Sequence, residues 1–262
     1  VGSAADEDPL ARLKSYVEGQ DRAPLAAIEQ RVREAVNDRL KAAAVERELI
    51  DLLVLEATPD ARRIACRQLR FVGTDRSVPA LSALLDDPAL AHPARAALEA
   101  MPSLAAAAAL RQALRTTRGD PLVGVIHSVG ERRDPAAAFL LVPLASRKDL
   151  AVAQAALGAL GRIGNETALQ TLQAAAGLAP PLAPDLPPPR NPLADDVRLR
   201  LDQTVLFDGL LNCAETAARG EGVTNAIEIY ARVYSAPTAP RPQRMAAVRG
   251  LVRHAPIRAA VL

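Results

Sequence analysis

Two stretches of similar pattern indicate how the chain folds: PLVGVIHSVGERRDPAAAF at 121–139 and AVAQAALGALGRIGNETAL at 151–169. Each stretch has an apolar segment, a short polar turn, and then a second apolar segment rich in alanine. Apolar residues at three- and four-residue spacing are typical of an amphipathic helix. Each stretch therefore predicts two short helices joined by a tight turn.

The same unit recurs at a nearly constant spacing between residues 58 and 177. The predicted ends of the first helices lie 30, 30 and 31 residues apart, at Arg70, Ala100, Gly130 and Gly161. The second helices are predicted to begin at Asp75, Ala105, Pro135 and Glu166, with core positions at Leu84, Leu114, Leu144 and Ala175. A lone pair of short helices cannot bury its apolar faces, so such units stack and share a core. We predict four repeats, at 58–87, 88–118, 119–148 and 149–177.

Helix boundaries are marked by residues that favour them. Aspartate or threonine precedes proline at Asp8-Pro9, Thr58-Pro59, Asp87-Pro88, Asp120-Pro121 and Asp134-Pro135. A side-chain oxygen before proline predicts a helix start, because it accepts from unpaired N–H groups and proline fits the first helical position. Glycines predict left-handed helix ends at Gly73, Gly119, Gly164 and Gly177.

Composition favours an all-helical fold. The chain has 262 residues, of which 50% are hydrophobic and only 2% aromatic, so its core must be built from Ala, Leu and Val. Strands prefer β-branched and aromatic residues.

The formal net charge is +2, and the basic residues are spread along the chain rather than clustered as in a nucleic-acid interface. No apolar run reaches the length of a membrane span, and we expect Cys66 and Cys213 to be two buried thiols.

The segments outside the repeats are assigned from their own patterns. Residues 1–57 predict a helical region that caps the repeats, and 193–262 predict further helical hairpins that are truncated at the C-terminus. Between them, 178–192 reads LAPPLAPDLPPPRNP, a proline-rich loop that cannot be helical. The opening VGSAA at Val1–Ala5 is similar to the end of a secretory signal peptide, which predicts a periplasmic or secreted protein. The alternative is a boundary of a cytoplasmic chain.

The repeats resemble a known family. GERRDPAAAFLLVPL at 130–144 and LGALGRIGNETALQTL at 157–172 resemble HEAT repeats of the short form found in many bacterial proteins, including secreted ones. The second repeat, at 88–118, departs most from this pattern, since it lacks the glycine and the Asp-Pro pair. The resemblance implies an all-α fold, a right-handed α-solenoid (armadillo/HEAT-like superhelix) of stacked antiparallel helix pairs.

The sequence offers no constellation that predicts catalysis. It contains no nucleophile motif, no phosphate-binding glycine loop, and no ligand-spaced partners for its three histidines, His92, His127 and His254. We therefore assign no catalytic, cofactor-binding or metal residues. The predicted function is a non-enzymatic scaffold that binds a protein partner or a neighbouring domain of a longer chain along its concave helical surface.

The second helices of a HEAT stack usually line its concave side, which suggests contact residues. The polar side chains predicted to face that groove are Arg111, Gln112, Arg115, Gln170 and Gln173.

Two alternative functions remain open. Short HEAT repeats also occur in bilin lyases, which would make the protein a chromophore-handling enzyme. Some HEAT-like solenoids grip DNA, for which the arginines are Arg62, Arg63, Arg67 and Arg70. Absorbance with added bilin and a titration with duplex DNA at low salt distinguish these alternatives.

Overall fold

The computed structural model describes residues 9–54, 56–178, 201–220 and 222–255, and across these ranges the chain is helical without strands. This confirms the all-α prediction. The helices are α1 Pro9–Lys14, α2 Ala23–Ala35, α3 Arg39–Val54, α4 Pro59–Val72, α5 Val78–Ser82, α6 Ala91–Ala100, α7 Leu104–Thr116, α8 Gly119–Glu131, α9 Ala138–Ala145, α10 Leu150–Ile163, α11 Glu166–Ala176, α12 Gln203–Arg219, α13 Val223–Ser235 and α14 Arg241–His254. A 3₁₀ turn at Pro135–Ala137 leads into α9. The predicted loop 178–192 and the tail Val1–Ala5 lie, apart from Leu178, outside the described residues.

The chain forms two compact units, Val1–Ser128 and Val129–Leu262. In the first unit, α4 packs on α6 and α5 packs on α7, so first helices contact first helices and second helices contact second helices. Helices α2 and α3 both pack on α4 and thereby cover the first pair. The core is made of small and branched aliphatic side chains such as Ala65, Leu69 and Leu98, all fully buried.

In the second unit, α9, α10 and α11 pack on one another, and α12 packs on both α10 and α11. Helices α13 and α14 then pack on α12. The crossing of α10 and α12 is unusually close, because a Cβ added to Gly161 would lie 2.5 Å from the Cα of Gly209. Glycine at both positions lets the two backbones meet, and an alanine at 161 would require them to move apart.

The predicted helix starts have mixed outcomes. The Thr58 hydroxyl accepts from Ala61 N–H at the start of α4, and the Asp134 carboxylate caps the 3₁₀ turn. Asp87 instead accepts from two N–H groups in a turn, so α6 begins only at Ala91. Asp120 lies within the first turn of α8, which begins one residue earlier. Asp8 lies outside the described residues.

The predicted left-handed helix ends are correct at Gly164 and Gly177, which follow α10 and α11 with φ values of +66° and +72°. Gly119 is also left-handed, with φ +61°, but it begins α8, whereas α7 ends at Thr116. Gly73 ends α4 as predicted, but not in the left-handed region. Gly73 has φ −69° and is extended. Glycine is needed there for space, because an added Cβ would overlap the Met101 side chain and the carbonyl of Leu69.

The register of the second helices differs by one residue from the predicted spacing. The equivalent fully buried leucines are Leu81, Leu110, Leu141 and Leu172, each 0% exposed and separated by 29, 31 and 31 residues. In the second repeat, Ala113 therefore matches Leu84, and the predicted match with Leu114 was wrong. The cause is the shortened turn at 101–103, after which α7 begins at Leu104, whereas α5 begins at Val78 rather than at Asp75.

A buried carboxylate joins the N-terminal helices to the first repeat. Glu46 of α3 is 1% exposed and accepts from the N–H of Thr74 at 2.6 Å and from the hydroxyl of Ser77 at 2.6 Å. The Thr74 hydroxyl also donates to it, at 2.8 Å. These donors lie in the turn between α4 and α5, and Ser77 is fully buried. Glu46 thus fixes that turn against α3.

Candidate binding surface

The second helices bury one face and expose the other in a regular pattern. Positions two residues before each fully buried leucine are exposed in all four repeats: Pro79, Ala108, Phe139 and Gln170. Positions one residue after it are half-buried: Ser82, Arg111, Val142 and Gln173. Three of the five predicted contact residues occur in these two sets, and their side chains lie on the faces of α7 and α11 that the core does not use.

In the first unit, the predicted contacts Arg111, Gln112 and Arg115 lie on α7. Arg111 is half-buried, whereas Gln112 and Arg115 are exposed. The same helix begins with Leu104, which is 89% exposed. This side of α7 therefore combines the exposed Leu104 with the exposed Gln112 and Arg115 and the half-buried Arg111.

In the second unit, the predicted contacts Gln170 and Gln173 lie on α11, which packs beside α9. Gln170 is exposed and donates from its amide to Glu166 Oε1 at 2.8 Å. Gln173 is half-buried. Because Arg111, Gln112 and Arg115 lie in the other unit, the predicted residues form two groups, one on each unit.

The sequence analysis missed the apolar part of this surface. Phe139 on α9 is 61% exposed, and Pro143 on the same helix is also exposed. The half-exposed Val142 lies between them in sequence. The available signal was FLLVPL at 139–144, where apolar residues continue around the whole helix instead of following one face.

Two buried thiols lack the properties of a nucleophile. Cys66 is fully buried and Cys213 is 2% exposed. Burial raises the pKa of the Cys66 thiol and of the Cys213 thiol to about 12. At neutral pH both remain protonated, and only a thiolate attacks an electrophile.

A polar network between α6 and α8 serves packing. The hydroxyl of Ser128, which is fully buried, donates to Glu99 at 2.5 Å and accepts from Arg95 at 2.5 Å. Arg95 also contacts His92 Nδ1 at 2.7 Å. Burial lowers the pKa of the Arg95 guanidinium. Since an added Cβ at Gly124 would lie 2.9 Å from Arg95 Nε, glycine makes room for this side chain.

Within the ranges given above, no three His, Cys, Asp or Glu side chains converge as a metal site requires. In the same ranges, no helix has both the length and the apolarity needed to cross a bilayer.

Comparisons with known proteins agree with the repeat pattern. A family model described as HEAT repeats matches residues 107–181. No curated protein matches the chain. One similar solved structure is the complex of CpcE and CpcF of phycocyanin lyase from Nostoc sp. PCC7120, with 18% identity, a TM-score of 0.42, and coverage of 97% of this chain and 91% of that one. Within residues 107–181, the matched segment and the helix pairs described above agree, so this part of the chain is similar to HEAT repeats.

Proposed function

We propose that this protein is a non-enzymatic scaffold that binds a protein partner, or a neighbouring domain of a longer chain, through the exposed faces of its second helices. The observation that carries the proposal is that these helices expose large apolar side chains beside the predicted polar contacts. Leu104 is 89% exposed and Phe139 is 61% exposed.

The energetics of such side chains support a binding role. Burial of one large aliphatic or aromatic side chain stabilises a complex by about 1.5–3 kcal/mol. Aromatic residues and arginine are also enriched among residues that dominate protein interfaces. Phe139 and Arg115 would provide such groups, one in each unit, while Gln112 and Gln173 would supply hydrogen bonds at their edges.

The burial of the candidate nucleophiles in the described residues also argues against a catalytic role. The most nucleophilic residue type, cysteine, occurs only at Cys66 and Cys213, and both thiols are buried. The hydroxyl of Ser128 is held by Glu99 in a fully buried position. We therefore assign the protein a binding function without chemistry of its own.

Site-specific photo-crosslinking tests the proposal. A photoreactive amino acid is placed at Gln112 or Gln173 on the second helices, and at Arg70 or Ala151 on exposed positions of the first helices as controls. After irradiation in cells of the source organism, we expect one partner to crosslink at 112 or 173 and not at 70 or 151.

Matched variants give the second arm of this experiment. Leu104→Ser and Phe139→Ser change exposed side chains, so the thermal midpoint should remain close to that of the wild type. Each substitution should weaken partner binding by about tenfold or more. Equal crosslinking at all four positions, or unchanged binding by both variants, would refute a second-helix surface.

A further inference from the structure

The exposed face of α14, the last helix that the structure describes, is apolar along its centre. Met245 is 49% exposed, Val252 is 54% exposed, and Val248, which lies between them in sequence, is half-buried. Their spacing of three and four residues puts all three side chains on one face of the helix. These three residues form the α14 stripe.

The opposite face of α14 is covered by other helices of the second unit. Ala247 and Leu251 are buried, and so is Gly250, where an added Cβ would lie 2.5 Å from the ring of Tyr230 on α13. Helix α14 packs on both α12 and α13. The helix is therefore anchored by one face, and the α14 stripe lies on the face that α12 and α13 leave exposed.

The charged residues of α14 are all arginines. The helix contains Arg241, Arg244, Arg249 and Arg253, and no aspartate or glutamate. Arg253 approaches Glu215 of α12 at 3.7 Å. The other three are exposed and make no ion pair within 4 Å among the described residues. By helical spacing, Arg249 borders the α14 stripe on one side and Arg244 borders it on the other.

The acids of the covering helices leave these three arginines uncompensated. Asp208 of α12 accepts from the amide of Gln243, on the covered side of α14, at 3.0 Å. Glu215 is the acid that pairs with Arg253. Glu228, the acid of α13, is exposed and forms no ion pair within 4 Å with any arginine of α14. An excess of positive charge therefore borders the α14 stripe.

The first turn of α14 lacks the negative group that helix starts favour. Pro240 precedes the helix and provides no side-chain cap, and the first turn contains no acid. The partial positive charge of the unpaired N–H groups therefore adds to that of Arg241 and Arg244. A carboxylate brought to this end of the helix is favoured by both.

We propose that the α14 stripe binds an amphipathic helix of a partner protein, one with an apolar face bordered by acidic residues. The apolar face of that helix covers the α14 stripe, and its carboxylates pair with Arg244 and Arg249 at the two edges. Helix α14 lies outside the four repeats, so this site shares no residue with the second-helix surface and does not depend on it.

The chemistry of the stripe favours a protein helix over a lipid surface or a nucleic acid. One methionine and two valines offer a small apolar area, whereas helices that bind membranes present tryptophan, phenylalanine or leucine to the lipid. A nucleic acid is bound through cations along the contact itself. The centre of this face is apolar, and the arginines lie at its edges.

Fluorescence anisotropy with a designed helical peptide tests the proposal. The probe is a fluorescein-labelled peptide of three Leu-Ala-Glu-Leu-Glu-Ala-Glu heptads, and the matched control peptide has Gln in place of each Glu. The protein is the full chain, as wild type and as three variants.

The variants separate charge from apolar contact. The first replaces the three unpaired arginines of α14 by glutamine. The charge control replaces three exposed cations elsewhere in the same unit, Arg133, Arg147 and Lys148, by glutamine. The third variant, Met245→Gln with Val252→Thr, makes the stripe polar with little change in side-chain size. Because all these side chains are on the surface, the thermal midpoints should stay close to that of the wild type.

We expect the Glu peptide to bind the wild type at least tenfold more tightly than the Gln peptide, because only carboxylates pair with the arginines. The arginine variant and the polar-stripe variant should each weaken binding by about tenfold or more, and the charge control by less than about threefold. Raising the salt concentration from about 50 mM to about 500 mM should weaken binding by about tenfold or more. Phe139→Ser should bind the peptide as the wild type does, which separates this test from that of the second-helix surface.

Four results would overturn the proposal: no binding of the Glu peptide, equal binding of the Gln peptide, equal weakening by the arginine variant and the charge control, or unchanged binding by the polar-stripe variant. Vesicles of equimolar phosphatidylcholine and phosphatidylserine, and a duplex DNA, are tested in parallel. If either binds in place of the peptide and requires the arginines of α14, the face belongs to a lipid surface or a nucleic acid instead.

Discussion

Replacing Glu46 by alanine should destabilise the protein far more than replacing any exposed acid on the same helix. In the wild type its carboxylate accepts from the Thr74 N–H, the Thr74 hydroxyl and the Ser77 hydroxyl. Thr74 is exposed and can bond water instead, but Ser77 is fully buried and cannot. A buried donor left without a partner costs about 1–3 kcal/mol, and loss of hydrogen bonds to a charged group about as much. We expect a total of about 2–5 kcal/mol.

Glutamine at the same position separates the hydrogen bonds from the charge. One carboxylate oxygen, Oε1, accepts from all three donors, so an amide oxygen placed there retains most of the geometry. Glu46→Gln should therefore cost only about 1 kcal/mol, the difference between charged and neutral acceptors. Asp51→Ala, an exposed acid of α3, should cost less than about 0.5 kcal/mol.

Urea unfolding followed by circular dichroism at 222 nm measures these differences. The slope of free energy against urea should be the same in all variants, so that shifts of the midpoint report stability alone. Two outcomes would refute the reasoning. One is a Glu46→Ala variant as stable as Asp51→Ala, and the other is a Glu46→Gln variant as unstable as Glu46→Ala.

Three further predictions concern packing, pH and thiol reactivity. Gly161→Ala should destabilise the protein by about 1–3 kcal/mol, because its Cβ would meet the backbone of Gly209. Gly158→Ala should be neutral or stabilising, because its Cβ would meet nothing closer than 3.5 Å. The thermal midpoints of the two variants measure the difference. The Glu18 N–H and Arg63 hold the pKa of Asp60 below its usual value, so its contribution to stability is present at neutral pH and lost in acid. The stability difference between wild type and Asp60→Asn should therefore shrink as pH falls below about 4. Cys66 and Cys213 should react with Ellman's reagent at pH 8 only after unfolding, since burial raises the pKa of each thiol; reaction of the folded protein would contradict this.

The helix pairs could be predicted because their signals are local. Thr58, Gly164 and Gly177 act within one turn of the helix they bound, so sequence alone identified their roles. At Gly73 the fixed obstacle is also local, because an added Cβ would overlap the carbonyl oxygen of Leu69, one helical turn earlier. Gly161 differs, because the backbone that an added Cβ would meet belongs to Gly209 on another helix, which local sequence does not identify.

The polar and apolar parts of the candidate surface differ in how far they could be predicted. Gln112 and Gln173 were assigned from helix order; Gln112 is exposed and Gln173 is half-buried, and their role as contacts stays a prediction. Phe139 was not assigned, because an aromatic residue in an apolar run is ordinarily core. Glu46 was missed for the opposite reason, since the donors that bind it are some thirty residues away and only the folded chain brings them together.

The contact between α10 and α12 joins two helices that are far apart along the chain. Residues 178–192, which read as a linker in the sequence, lie between them, yet their backbones approach closely at Gly161 and Gly209. A long separation along the chain therefore does not mean a separation in the fold. A chain cut within that stretch should yield two fragments that recognise each other, so this apparent gap would serve as a permissive site for splitting or inserting into the protein.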